Sequence, residues 1–97
     1  MKPFGSIVQH IREKKKMTIP ELAKQCNIST SYLKQLESGE RINPSRLIID
    51  KICTTLSVPY AVISFLSLED KDISSRKRIS YAKIKPAVIS LIQEFFL

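Results

Sequence analysis

Five side chains within a short span, Ser29, Thr30, Ser31, Lys34 and Gln35, carry the most distinctive chemistry of the chain: three hydroxyls, one cation and one carboxamide. Lysine donates to guanine O6 and N7, glutamine pairs with adenine, hydroxyls serve several bases, and the threonine methyl meets a thymine methyl. Short donors and acceptors beside a cation therefore suit base edges and phosphates. Each has a plainer use as well: Ser29 as a helix cap, Gln35 as an ordinary solvent residue. Such groups read anything only if a rigid element holds them outward in one row, so the elements around them decide.

Those elements are two short helices joined by a tight turn, spelled by TIPELAKQCNISTSYLKQLESG from Thr18 to Gly39. Thr18 with Glu21 three residues on is a capping box, and Leu22, Ala23 and Cys26 make an apolar stripe behind it. Asn27 tolerates the left-handed conformation of a helix end, Ile28 plugs the turn into a core, and Ser29 caps a second helix that turns Leu33 and Leu36 inward. Gly39 ends it.

Upstream, Phe4, Ile7, Val8 and Ile11 recur at i, i+3, i+4 and i+7, an amphipathic helix closing on Lys14, Lys15 and Lys16. Cations there suit the helix dipole, so the run reads either as a solvated helix end or as a phosphate contact. Downstream, Arg41, Ile42, Asn43 and Pro44 form a loop. Ser45 caps a fourth helix whose face holds Leu47, Ile48, Ile52, Cys53 and Leu56. Pro59 restarts a short fifth helix with Val62, Ile63 and Leu66 inward.

From Ser67 to Ile79 the sequence SLEDKDISSRKRI is charged and serine-rich, a linker with little core of its own, so the compact domain is expected to span residues 1–66. Residues 80–97 carry a wide apolar face: Tyr81, Ile84, Val88, Leu91 and Phe95 step by three and four, and Ile89, Ile92 and Phe96 broaden it. Pro86 interrupts it. Because proline removes a helix amide, the expectation is a shorter helix beginning near Pro86, with Tyr81 and Ile84 on the approach. The face must be covered by the rest of the chain, by a second copy in a homodimer, or by a different protein.

Composition narrows the class. A length of 97 residues with two glycines and five prolines leaves room for one small core and little punctuation for the turns of a sandwich or barrel, so an all-α fold is expected. Sixteen Lys and Arg against nine Asp and Glu give +7, which points to a polyanion partner. Cys26 and Cys53 fall at apolar helix positions and His10 stands alone, so neither a metal set nor a cofactor site nor a cysteine–histidine pair is expected. No paired carboxylates, nucleophile–base set or phosphate-cradling glycine loop suggests an enzyme. No apolar leader or membrane span is visible, which makes the cytoplasm the expected compartment.

Taken together, Ile11-Arg12, Glu21-Leu22-Ala23, Ile28-Ser29, Tyr32-Leu33, Leu36-Glu37-x-Gly39, Asn43-Pro44-Ser45, Ile52 and Leu56-x-Val58 stand at spacings that resemble the phage repressor and Cro family, the XRE-type helix-turn-helix proteins. The resemblance runs from Phe4 to Leu66. It implies a five-helix repressor-like domain, followed here by the linker and a C-terminal helix. It also implies an ion pair between Arg12 and Glu37 tying the first helix to the recognition helix, and major-groove contacts from Ser29, Thr30, Ser31, Lys34 and Gln35. Phosphate contacts are expected from Arg12, Thr18, Ser38, Arg41, Asn43 and Arg46.

Two positions depart from the pattern. Ile19 stands where the family usually has a phosphate-gripping glutamine, and Lys16 stands near the family's left-handed glycine. One recognition helix spans only a few base pairs, so the resemblance implies a dimer on double-stranded DNA with pseudo-palindromic half-sites. Tyr81, Ile84, Val88, Leu91, Ile92, Phe95 and Phe96 are then candidates for the dimer contact or for a partner protein. The leading expectation is a transcriptional repressor. The alternative is an antitoxin-like or antagonist-controlled regulator whose tail grips a partner.

Overall fold

A computed structural model describes all 97 residues. The chain is all-helical: α1 (Phe4–Lys14), α2 (Ile19–Cys26), α3 (Thr30–Ser38), α4 (Arg46–Leu56), α5 (Tyr60–Ser67), two 3-10 turns (Asp70–Asp72 and Ser75–Lys77) and α6 (Arg78–Phe96). No single helix is long and apolar enough to cross a membrane.

The helix boundaries follow local hydrogen-bonding chemistry. The Thr18 hydroxyl accepts from the Glu21 amide, and the Glu21 carboxylate accepts from the Thr18 amide, both at 3.2 Å. Ser29 and Ser45 each accept from the amide three residues on, at 2.9 and 3.3 Å. These bonds satisfy amides that a helix start otherwise leaves without partners. α2, α3 and α4 end on Asn27, Gly39 and Ser57, all left-handed.

Lys16, in the turn after α1, is also left-handed, with φ of 58°. A Cβ in that conformation crowds its own backbone, and glycine escapes the penalty. Lys16→Gly is therefore expected to stabilise the fold by about 0.5–1 kcal/mol and to raise the melting temperature by a few degrees. A thermal melt in matched buffer checks it; a lower melting temperature would mean that unfolded-state entropy outweighs the relieved strain.

One core gathers a stripe from each of the first five helices: Ile7, Val8 and Ile11; Leu22, Ala23 and Cys26; Leu33 and Leu36; Ile52 and Leu56 with Val58; and Ile63. α1 crosses α3 so closely that a Cβ built on Gly5 would lie 1.8 Å from the Leu36 carbonyl oxygen. Cys53 is half-buried against this core, and burial first, then Asp50, pushes its thiol up from the ordinary range. It stays a neutral thiol, a packing residue.

The structure corrects two expectations. Leu47 points outward, 63% exposed, because Ile48, Ile52 and Leu56 at i, i+4 and i+8 set the inward stripe of α4 and leave their neighbour off it. The tail is one helix through Pro86, not a shorter helix starting there. Proline deprives only the Ala82 carbonyl of its helical donor, and Ala82 and Pro86 are both exposed, so water can serve that oxygen.

α6 also divides its own apolar residues. Tyr81 packs on Phe65 with ring centroids 6.2 Å apart, Ile92 is buried, and Phe96 reaches the core beside the α4–α5 turn. Val88 is half-buried, whereas Ile84, Leu91 and Phe95 are exposed. Residues 69–72 are closed by reciprocal capping between Glu69 and Asp72, and the Ser67 carbonyl accepts from the Lys2 amide at 2.7 Å.

Candidate nucleic-acid interface

α3 is held from below at three points. Leu33 and Leu36 are buried in the core, and Glu37 is buried against Arg12 of α1. The guanidinium of Arg12 donates from Nε and Nη2 to the two carboxylate oxygens of Glu37, at 2.8 and 2.9 Å, and from Nη1 to the Met17 carbonyl at 2.7 Å. This is a two-pronged, charge-assisted bond in a dry site, which fixes direction as well as distance. It raises the Arg12 pKa above its ordinary value, so the arginine is charged wherever the protein is folded. Because the folded value is the higher one, the contribution of Arg12 is present through the neutral range and declines as pH rises through that value.

With Leu33, Leu36 and Glu37 turned inward, helical geometry turns Ser31, Lys34, Gln35 and Ser38 outward in a row along α3. Ser31, Lys34 and Ser38 are exposed, and Thr30 and Gln35 are half-buried. Ser29 stands at the head of the row, where its hydroxyl oxygen caps the helix. The row is short, polar and convex, the shape a major groove about 12 Å wide admits.

The candidate phosphate-binding residues are in different states. Thr18 is committed to its capping box, which takes the Glu21 amide; Pro20 has no N–H and the Leu22 amide donates to the Thr18 carbonyl, so Ile19 supplies the one free amide at the start of α2. Ile19 is half-buried and packs on the core, so its side chain supplies packing where a glutamine would supply a donor. The Ser38 hydroxyl donates to the Gln35 carbonyl at 3.1 Å. Asn43 is exposed. Arg46 pairs with Asp50 at 3.3 Å on the surface of α4, a contact worth only tenths of a kcal/mol and easily exchanged for a phosphate. Only 9% of the Arg12 side chain is exposed, which makes it a brace before it is anything else.

Two features of the site escape a reading of the sequence. Arg41 lies back on α3: its Nε donates to the Gln35 Oε1 at 2.8 Å and its guanidinium sits 5.7 Å from the centre of the Tyr32 ring. Gly5 lets α1 approach α3. The available signal for Gly5 was its place inside an amphipathic helix, where glycine costs about 1 kcal/mol unless close packing needs it.

A family model described as helix-turn-helix matches residues 8–63, more than half the chain. The chain belongs to the XRE-type helix-turn-helix family. Within it, this helix-turn-helix chain is 35% identical over 60 residues to the uncharacterized HTH-type transcriptional regulator RghRB of Bacillus subtilis, covering 62% of this chain and 43% of that protein. It is 32% identical over 60 residues to the HTH-type transcriptional repressor RghR of the same organism, covering 62% and 44%. The immunity repressor protein of Bacillus phage phi105 is 30% identical over 84 residues, covering 74% of this chain and 58% of that one. The chain thus spans less than half the length of the two Bacillus subtilis regulators it matches. Among solved structures, the clp gene regulator ClgR from Corynebacterium glutamicum shares the fold, with a TM-score of 0.63 at 20% identity over 97% of this chain and 92% of that one.

Proposed function

We propose that this helix-turn-helix chain is a sequence-specific double-stranded DNA-binding transcriptional regulator, not an enzyme, and that it acts in the cytoplasm as a dimeric repressor on a pseudo-palindromic operator. The observation that carries the reading is the outward row of α3 held rigid by the buried Arg12–Glu37 pair. Base readout falls to Ser29, Thr30, Ser31, Lys34 and Gln35. Phosphates are gripped by Thr18 with the Ile19 amide, by Ser38, Arg41, Asn43 and Arg46, and by the exposed edge of Arg12. Repression matches what the names of RghR and the phage immunity repressor say of those proteins.

A single α3 covers only a few base pairs, and the exposed Ile84, Leu91 and Phe95 of α6 supply an apolar row on which a second copy can pair. The same row supports a second reading, in which α6 grips a different protein and DNA binding serves autoregulation.

Incubating the purified chain with random duplexes at physiological salt and sequencing the retained DNA tests the proposal. Non-specific phosphate binding weakens there while specific binding survives. An enriched inverted repeat with half-sites about one helical turn apart is expected. A monomeric mass on DNA, or a single unrepeated half-site, would favour the partner-protein reading; a folded protein that enriches nothing would overturn sequence-specific binding.

Lys34→Ala is expected to cost about 1–3 kcal/mol on the selected site and little on scrambled DNA, because it removes a base contact. Arg46→Ala is expected to weaken both equally and to lower the salt dependence by about one ion. Titrations on both duplexes at two salt concentrations separate the cases. Equal loss on both duplexes for Lys34→Ala would remove that residue from base readout.

A further inference from the structure

Gln35 is the residue of the α3 row best able to discriminate between purines, and Arg41 controls how it does so. The left-handed Gly39 folds the chain back after α3, so that the Arg41 amide donates to the Gln35 main-chain carbonyl at 3.1 Å. The Arg41 side chain then lies along the helix, with Nε on the Gln35 Oε1 at 2.8 Å and the guanidinium over Tyr32. An arginine Nε only donates, so it fixes which end of the carboxamide faces it. Oxygen turns toward Arg41. The amide nitrogen turns away and has no partner within the protein.

An adenine edge asks glutamine for both functions, an oxygen to accept from N6 and a nitrogen to donate to N7, whereas a guanine edge offers two acceptors, O6 and N7. The oxygen already receives a charge-assisted bond, roughly twice the strength of a neutral one. A second donor reaching it must approach beside a full positive charge. The N6 amino group of adenine is such a donor; guanine O6 is attracted by the same charge.

We infer that Arg41 is a specificity-determining residue that makes Gln35 a hydrogen-bond donor toward DNA, so that the chain selects guanine over adenine at the base pair facing Gln35. This rests on the regulator reading above and sharpens it at one position of the operator.

The test compares the full chain with Gln35→Ala and Arg41→Met in selection from random duplexes. Met keeps the length and apolar contact of the arginine stem while removing every donor, and Arg41 is exposed, so the fold is retained. Gln35→Ala identifies the base pair by flattening its preference. At that position the unaltered chain is expected to retain guanine, and Arg41→Met to lose about tenfold of its preference over adenine, while the relative preferences at all other positions persist and the loss of the Arg41 phosphate contact weakens every sequence to the same degree. The inference is overturned by adenine in the unaltered chain's motif, by Gln35→Ala flattening no position, or by Arg41→Met weakening all sequences alike with guanine still preferred. Failure of the unaltered chain to enrich any sequence overturns the regulator reading itself, and this inference with it.

Discussion

Gly5→Ala is expected to destabilise the protein by about 3 kcal/mol or more, at the top of the range for overpacking, because the added methyl meets backbone and not a side chain that can swing away. Its Cβ would lie 1.8 Å from the Leu36 oxygen, 2.5 Å from the Leu36 carbonyl carbon and 3.1 Å from the Glu37 nitrogen. Relief requires moving α1 bodily off α3. The sign is what makes the experiment decisive: Gly5 lies in the first turn of α1, where helix propensity alone favours alanine by up to about 1 kcal/mol. Urea unfolding measures the sum. A midpoint at or above that of the unaltered protein would mean that the α1–α3 spacing is looser than described.

The same crossing holds the second large effect. Arg12→Met is expected to cost about 3–5 kcal/mol, since it leaves the Glu37 carboxylate, 4% exposed, without its partner in a dry site. Glu37→Met strands the guanidinium of Arg12 in the same way. Yet the doubly substituted protein, with both positions apolar, is expected to regain most of the loss, because a buried ion pair spends in desolvation much of what it gains in attraction. A double-mutant cycle by chemical denaturation reads this as a coupling of several kcal/mol.

DNA binding provides the complementary measurement. If the pair sets the direction of α3, the doubly substituted protein, though stable, binds its selected operator more weakly than the unaltered chain. Unchanged operator affinity in that protein would show that Leu33 and Leu36 suffice to aim the helix.

The outward polar row of α3 was legible in the sequence because its causes are local. Ser29 caps the helix that carries it, Leu33 and Leu36 mark the inward stripe, and the remainder must face out. The state of its neighbours was not legible. Arg41 reads from sequence as a free loop cation, and only the fold-back after Gly39 puts its guanidinium on Gln35. Leu47 reads as core because its face of α4 is broad, and a broad stripe does not say which edge meets the other helices. Pro86 reads as a helix start because the rule for proline concerns the missing amide, whereas the exposure of Ala82 and Pro86 decides how much that loss matters.

The amino-acid sequence by itself determined the helix starts and stops at Thr18, Ser29, Gly39 and Ser45, the inward stripes of α1, α2 and α3, and the polar row of α3. Each depends on groups three or four residues apart, whose meeting the helix guarantees. The tertiary structure alone decided that Gly5 touches Leu36, that Arg41 orients Gln35, and which of the tail's apolar residues are buried: Ile92 is, while Ile84, Leu91 and Phe95 are not. Those outcomes depend on how far apart and at what angle two elements settle, and packing of the whole core sets that spacing.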